Sequence, residues 1–171
     1  MYTSRVASHL SFGCLAYGSA KPYHLSSLFR LQKKAVRSIS LASYNAHTEP
    51  LFLHNNILNL YDLIDFNRSL FMYKYRYDLL PSSFINFYRF TKETGNDRIR
   101  NNDGNFDIPP NNSYLKFPHL TTIKPWNTLP VYLKNISSPK LFKISLKRHY
   151  LSKYESDMCG IPDCRSCTVR K

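Results

Sequence analysis

Residues 23–42, YHLSSLFRLQKKAVRSISLA, decide the fold. Set at helical pitch, Leu25, Leu28, Phe29, Ala35, Val36 and Ile39 fall on one stripe, with Arg30, Lys33, Lys34 and Arg37 nearly opposite. The apolar stripe requires a core to pack on. The cations, at i, i+3, i+4 and i+7, form a row that suits a phosphate backbone or simply water. A chain organised around such a helix is expected to be mainly α, a small helical bundle.

On either side the punctuation is helical too. Residues 3–17 read as a helix with Thr3 or Ser4 as N-cap, Val6, Leu10, Cys14 and Tyr17 on one face, and Gly13 offering a close helix contact. Lys21-Pro22 then forces a new start. After the central helix, Thr48 is placed to cap a short helix that tolerates Pro50 in its first turn. Asn59, with Asp62 three residues on, opens the longest periodic segment. Its expected stripe is Leu60, Leu63, Ile64, Asn67, Leu70, Phe71 and Lys74 or Tyr75, and Pro81 ends it. Ser82-Ser83 can cap a further short helix. Ser138-Pro139 supplies an N-cap and an N1 proline for a last helix, with Phe142, Leu146 and Tyr150 inward and Lys140, Lys143 and Lys147 outward. The expected helices are near 4–17, 23–42, 57–79 and 138–154.

Between them, residues 92–113 are rich in Asn, Asp and Gly and end in Pro109-Pro110, which is turn chemistry. Asp103-Gly104 suggests a hairpin turn, and Phe106–Ile108 and Tyr114–Phe117 are short strand candidates. The stretch 104–125 is therefore read as irregular and weakly β. Trp126, the one tryptophan, is expected to pin this extended piece onto the core. The organisation that results is a helical core over 1–91, a loop and short-strand segment over 92–129, a C-terminal helical part over 130–155 packing on the core, and a flexible tail over 156–171.

With 171 residues, 43% hydrophobic and 15% aromatic, the chain has enough apolar surface to fold. Lys and Arg outnumber Asp and Glu by 24 to 11, a net charge of +13. Such an excess favours nucleic acid or an anionic surface as partner. No apolar run approaches a bilayer span, and the mildly apolar stretch 7–20 is not read as a signal peptide. The expected location is intracellular, nucleus or cytoplasm, neither secreted nor in a membrane, so the four cysteines are expected as thiols or metal ligands.

Candidate sites follow from charge and spacing. The nucleic-acid-binding candidates are Arg30, Lys33, Lys34, Arg37, Arg76, Lys140, Lys143 and Lys147, each a cation on a helix. Around Arg76, the tyrosines Tyr73, Tyr75 and Tyr77 alternate with Arg68, Lys74 and Arg76, a composition that stacks bases or simply covers a helix flank. Asp62 and Asp65 are explained by capping and a solvated face without chemistry. In the tail, Cys159, Cys164 and Cys167 supply three thiolates where tetrahedral zinc needs four ligands. Free thiols are the expectation, with zinc completed by His149 as the alternative and no other cofactor implied. No Ser/His/Asp set or Gly-rich phosphate loop is present, so no catalytic residue is assigned.

HLSFGCLAYGS (9–19), LFRLQKKAVRSI (28–39) and PWNTLPVYLKN (125–135), in this order, resemble the region C-terminal to the palm in reverse transcriptases of non-LTR retrotransposons of the jockey and CR1 kind. HTEPLF (47–52), LFMYKYRYDLLPSSF (70–84) and RIRNND (98–103) are similar to their counterparts there. The resemblance implies the thumb and post-thumb part of an RNA-directed DNA polymerase. The catalytic palm, with its Tyr-x-Asp-Asp motif and Mg²⁺ ions, has no counterpart here, since no Asp-Asp dipeptide occurs. The implied role is gripping RNA, DNA or an RNA–DNA duplex without catalysis, alone or with the rest of a reverse transcriptase. The methionine just ahead of the matching stretch suggests a truncated element or a reading frame started inside a longer one. A helical interaction module, binding acidic proteins or a polymerase in trans through the same basic faces, is the alternative.

Overall fold

The structure, a computed structural model, describes residues 6–84, 87–91, 104–108 and 121–156, and these are mainly helical. The chain forms two compact units, Met1–Ile64 with Lys147–Lys171, and Asp65–Leu146. The helices are α1 (Ser8–Ser11), α2 (Cys14–Tyr17), α3 (Pro22–Ile39), α4 (Glu49–His54), α5 (Leu60–Arg76), α6 (Ile123–Asn127), α7 (Val131–Lys134) and α8 (Pro139–Ser156).

In the first unit the opening segment is two short helices rather than one. Gly13 sits between them at φ 64°, a left-handed conformation that interrupts the helical hydrogen bonding and turns Phe12 out to solvent. The close contact expected at Gly13 falls instead on Gly18. A Cβ there would lie 2.6 Å from Ile64 Cγ2 and 2.5 Å from the Cys14 carbonyl oxygen. Leu10, Cys14, Leu25, Leu60 and Ile64 form one buried cluster, and Val36, Ala46, Leu51, Phe52, Ile57 and Tyr154 another.

α3 starts at Pro22 in its N1 position, and its fully buried line is Leu25, Gln32 and Val36. Gln32 is buried with its Nε2 donating to the Leu58 carbonyl at 2.9 Å, which gives the amide nitrogen an acceptor inside the core. Ile39, placed on the stripe by periodicity, is exposed at the helix end. Helices α3, α4 and α5 close in the same way. Leu41, Asn56 and Asp78 adopt left-handed φ of 51°, 54° and 52°. The next amides, Ala42, Ile57 and Leu79, reach back to the carbonyls of Arg37 (3.0 Å), Phe52 (2.9 Å) and Lys74 (2.8 Å), as in a Schellman cap.

The start of α5 shows the expected capping. Asn59 Oδ1 accepts the Asp62 N–H at 2.9 Å, and Asn59 Nδ2 donates to Asp62 Oδ2 at 2.7 Å. Thr48, by contrast, makes no side-chain cap for α4. Tyr154 of α8 completes the α5 cap: its hydroxyl donates to Asp62 Oδ2 at 2.5 Å and accepts the Asn59 N–H at 3.0 Å. Burial, reinforced by the Asp62 carboxylate, pushes the phenol pKa up, so the hydroxyl remains a donor. Tyr154→Phe keeps the ring in place but strips a buried amide and a carboxylate of their shared partner. The expected loss is about 1–3 kcal/mol, read from the denaturant midpoint.

The second unit is built around aromatic packing. Tyr73 stacks on Phe142 with centroids 4.1 Å apart, and Trp126, fully buried, tilts against Phe142 at 6.1 Å and Phe106 at 6.2 Å. The chain around Trp126 differs from the sequence expectation. Residues 123–127 are helical, so the tryptophan is delivered by a helical turn and not by an extended strand. The remaining β character among the described residues is one antiparallel bridge, Phe90 with Phe106, flanked by Thr91 N–H to Asn105 O (3.1 Å) and Asp107 N–H to Arg89 O (2.9 Å). Asn127 holds the Phe106 backbone like a neighbouring strand: Oδ1 accepts its N–H at 3.0 Å and Nδ2 donates to its carbonyl at 2.8 Å. Ser82–Phe84 forms a 3₁₀ turn, and residues 87–90 are not helical.

The buried positions of α5 do not follow one stripe. Leu60 and Ile64 are buried in the first unit, whereas Ser69, Met72 and Tyr73 are the fully buried positions further on, with Leu70 and Phe71 only half-buried. A helix whose turns serve two different cores has no reason to keep a single apolar direction along its length.

Candidate nucleic-acid interface

The four cations of α3 divide into two pairs. At about 100° per residue, Lys33 and Arg37 follow directly on the buried positions Gln32 and Val36 and so flank the core, while Arg30 and Lys34 lie on the far side. Lys33 Nζ sits 3.6 Å from Glu49 Oε1 and 4.5 Å above the Phe29 ring. Arg37 Nε donates to the Ala46 carbonyl at 2.9 Å, tying the end of α3 to the loop that follows. These two side chains are part of the packing. Arg30 is exposed, with one long bond of 3.4 Å from Nε to the Ser26 carbonyl, and Lys34 is exposed with no bonded partner among the described residues.

On α8, Lys140 and Lys143 are exposed with no bonded partner among the described residues, and Lys147 is half-buried. Inward, Phe142, Leu146 and Tyr150 are buried as the periodicity requires. Lys153 lies 4.5 Å above the Tyr150 ring, and burial with the Lys153 charge lowers the pKa of His149.

The tyrosines that alternate with cations on α5 are committed to structure. The Tyr73 hydroxyl donates to the Ser137 carbonyl at 2.6 Å, Tyr75 to the Tyr88 carbonyl at 2.9 Å, and Tyr77 to the Lys134 carbonyl at 3.2 Å. Arg68 pairs with Asp65 at 3.1 Å. The base-stacking reading of Tyr73 therefore gives way to packing, and Tyr75 and Tyr77 keep only partial exposure.

Arg76 has a neighbour that sequence reasoning did not single out. Lys134 is only 2% exposed, and its Nζ donates to Asn105 Oδ1 at 2.6 Å and the Asn127 carbonyl at 3.1 Å. Burial, and then the nearby Arg76 charge, lower its pKa to about 8. Arg76 Nη2 reaches Asn135 Oδ1 at 3.5 Å, and its Nη1 lies over Gly104, where an added Cβ would come within 1.7 Å. Gly104 itself has φ 85°, and its carbonyl accepts the Trp126 Nε1–H at 2.8 Å.

Among the described residues no group of three or more His, Cys, Asp or Glu is placed to hold a metal ion. Cys159, Cys164 and Cys167 lie outside the described residues, and Cys14 is buried and forms no disulfide among the described residues. No helix among the described residues is long and apolar enough to cross a membrane. The chain matches no family model, no curated protein and no solved structure.

Proposed function

We propose that this chain binds a nucleic-acid duplex, RNA, DNA or an RNA–DNA hybrid, through the phosphate backbone and performs no chemistry of its own. The observation that carries the reading is the exposure of Arg30 and Lys34 on α3, and of Lys140 and Lys143 on α8, with no carboxylate paired to any of them among the described residues. In a chain with a net charge of +13, such side chains are available to displace condensed counterions from a polyanion. The likeness of the three ordered stretches to the thumb and post-thumb region of non-LTR retrotransposon reverse transcriptases supports the same reading. In that reading the chain is the gripping part of an RNA-directed DNA polymerase that lacks its palm.

The test separates the two pairs of cations on α3. Arg30→Gln with Lys34→Gln is expected to leave the melting temperature unchanged and to flatten the slope of log K against log salt by about 2, roughly 0.9 for each lost phosphate contact. Lys33→Gln with Arg37→Gln is expected to lower the melting temperature instead. An unchanged salt slope in the first variant, with folding intact, removes the far side of α3 from the interface.

A second reading is favoured by Phe12, Tyr23, Leu41 and Tyr44, large side chains exposed on the first unit. They suit a protein contact, with the basic faces meeting an acidic partner. Retention of an acidic polypeptide by the wild-type chain, without retention of duplex, is the result that selects this reading.

A further inference from the structure

The C-terminal end of α5 borders a cavity of about 440 Å³ inside the second unit. The left-handed turn at Asp78 reverses the chain after α5, so the 3₁₀ turn at Ser82–Phe84 returns beside Tyr75 and Arg76. The walls are three aromatic rings, Tyr75, Phe84 and Phe90, and the polar groups are the Arg76 guanidinium, the Asp78 carboxylate and the Ser82 hydroxyl.

Packing fixes each ring in place. Phe90 stacks on Phe106 with centroids 4.6 Å apart, Phe84 meets Phe71 edge-on at 5.5 Å, and the Tyr75 hydroxyl is bonded to the Tyr88 backbone. Walls held this way are pre-organised, and a ligand that stacks on them has little ordering left to do. Arg76 is the group whose bonding is incomplete. Its Nη1, against Gly104, is buried with no hydrogen-bond partner, its Nη2 makes one long bond of 3.5 Å to Asn135 Oδ1, and no carboxylate pairs with the guanidinium among the described residues, although Asp78 borders the same cavity. With the Lys134 ammonium nearby, the local potential is positive at neutral pH.

A concave space with ring walls, a guanidinium short of acceptors and a few polar atoms at its edge has the chemistry of a nucleotide site. We propose that this cavity takes one unpaired nucleotide at the end of a nucleic-acid strand, its base against Phe84 and Phe90 and its phosphate on Arg76. The inference rests on the duplex-binding reading and extends it: the cavity selects for a single-stranded extension.

The experiment compares the full chain's affinity for a blunt RNA–DNA duplex with that for the same duplex carrying a short unpaired extension, which ends in a fluorescent base analogue. The expected result is roughly tenfold tighter binding of the extended duplex, the size of one base stacked on an aromatic ring, with quenching of the analogue. Ser82→Trp, which fills the mouth from an exposed position, is expected to abolish the tenfold preference and leave blunt-duplex binding nearly unchanged, and Arg76→Gln is expected to abolish the preference. Equal binding of both duplexes by the wild-type chain overturns the cavity proposal while leaving the duplex reading standing. A preference that survives Ser82→Trp in a folded protein also overturns it. Failure to bind either duplex overturns both.

Discussion

Trp126→Ala is expected to cost about 3–5 kcal/mol, at the upper end of what one buried side chain contributes to a fold. The indole is fully buried between Phe106 and Phe142, so truncation opens a cavity where two rings lose their packing surface. The Gly104 carbonyl also loses the donor held at 2.8 Å. Gly104 cannot easily follow a collapse into that space, because Arg76 lies against it. The loss is measured by chemical denaturation followed by far-ultraviolet circular dichroism, since the variant has no tryptophan left to report. Trp126→Phe keeps much of the volume and forfeits the hydrogen bond, and a much smaller loss is expected. Equal losses in the two variants would mean that the N–H bond, and not the packing, is what Trp126 supplies.

The second large effect is a rise in stability with pH that depends on Lys134. In the unfolded chain this lysine titrates near 10.5, whereas burial lowers its folded pKa to about 8. Between these values the unfolded state binds more protons, so stability increases as pH rises, and the whole interval corresponds to about 3 kcal/mol. The neutral amine still has two hydrogens for Asn105 Oδ1 and the Asn127 carbonyl, so deprotonation removes the buried charge without breaking either bond. Tyrosines act in the opposite direction. Burial raises Tyr17 and Tyr88 to about 12, so their unfolded forms lose protons first, and stability falls as pH climbs above 10. A maximum near pH 10 is the expected profile. Lys134→Met removes the rising limb below it and leaves the falling limb; a rising limb that persists in this variant assigns it to another group.

Lys134 also marks where the sequence stops being informative. In VYLKN it stands at the end of a short helical turn and reads like any surface lysine. What buries it is Asn105 and Asn127, 29 and 7 residues away, and no local periodicity encodes that meeting. Gln32 fails for the same reason: its acceptor is the backbone of Leu58, 26 residues on, so a polar residue at a core position looks like an interruption of the stripe. By contrast, signals carried within one turn were legible. The Asn59 to Asp62 spacing gave the start of α5, Pro22 and Pro139 opened α3 and α8, and Phe142, Leu146 and Tyr150 faced inward.

The intermediate cases are those where one residue type has two uses. Gly13 and Gly18 both suit a close helix contact, and only the left-handed φ of Gly13 separates the chain break from the contact at Gly18. The row Arg30, Lys33, Lys34, Arg37 was visible as a row, yet its division needed Glu49 and Ala46, which fold back from beyond the helix. Trp126 was legible as a core anchor but not as part of a helical turn, because the prolines on either side suggested extended chain. That confusion is instructive: Pro125 sits in the third position of α6, where its missing N–H would have no intrahelical acceptor in any case.

The most direct test of duplex binding is the affinity of the purified wild-type chain for a blunt RNA–DNA duplex across a salt series, with circular dichroism as the control for helical folding. The expected result is a linear fall of log K with log salt, of slope about −2 or steeper, from at least one pair of exposed cations at roughly 0.9 each. A folded, helical chain that fails to bind, or that binds with a slope near zero, contradicts the proposal that Arg30, Lys34, Lys140 and Lys143 face a phosphate backbone.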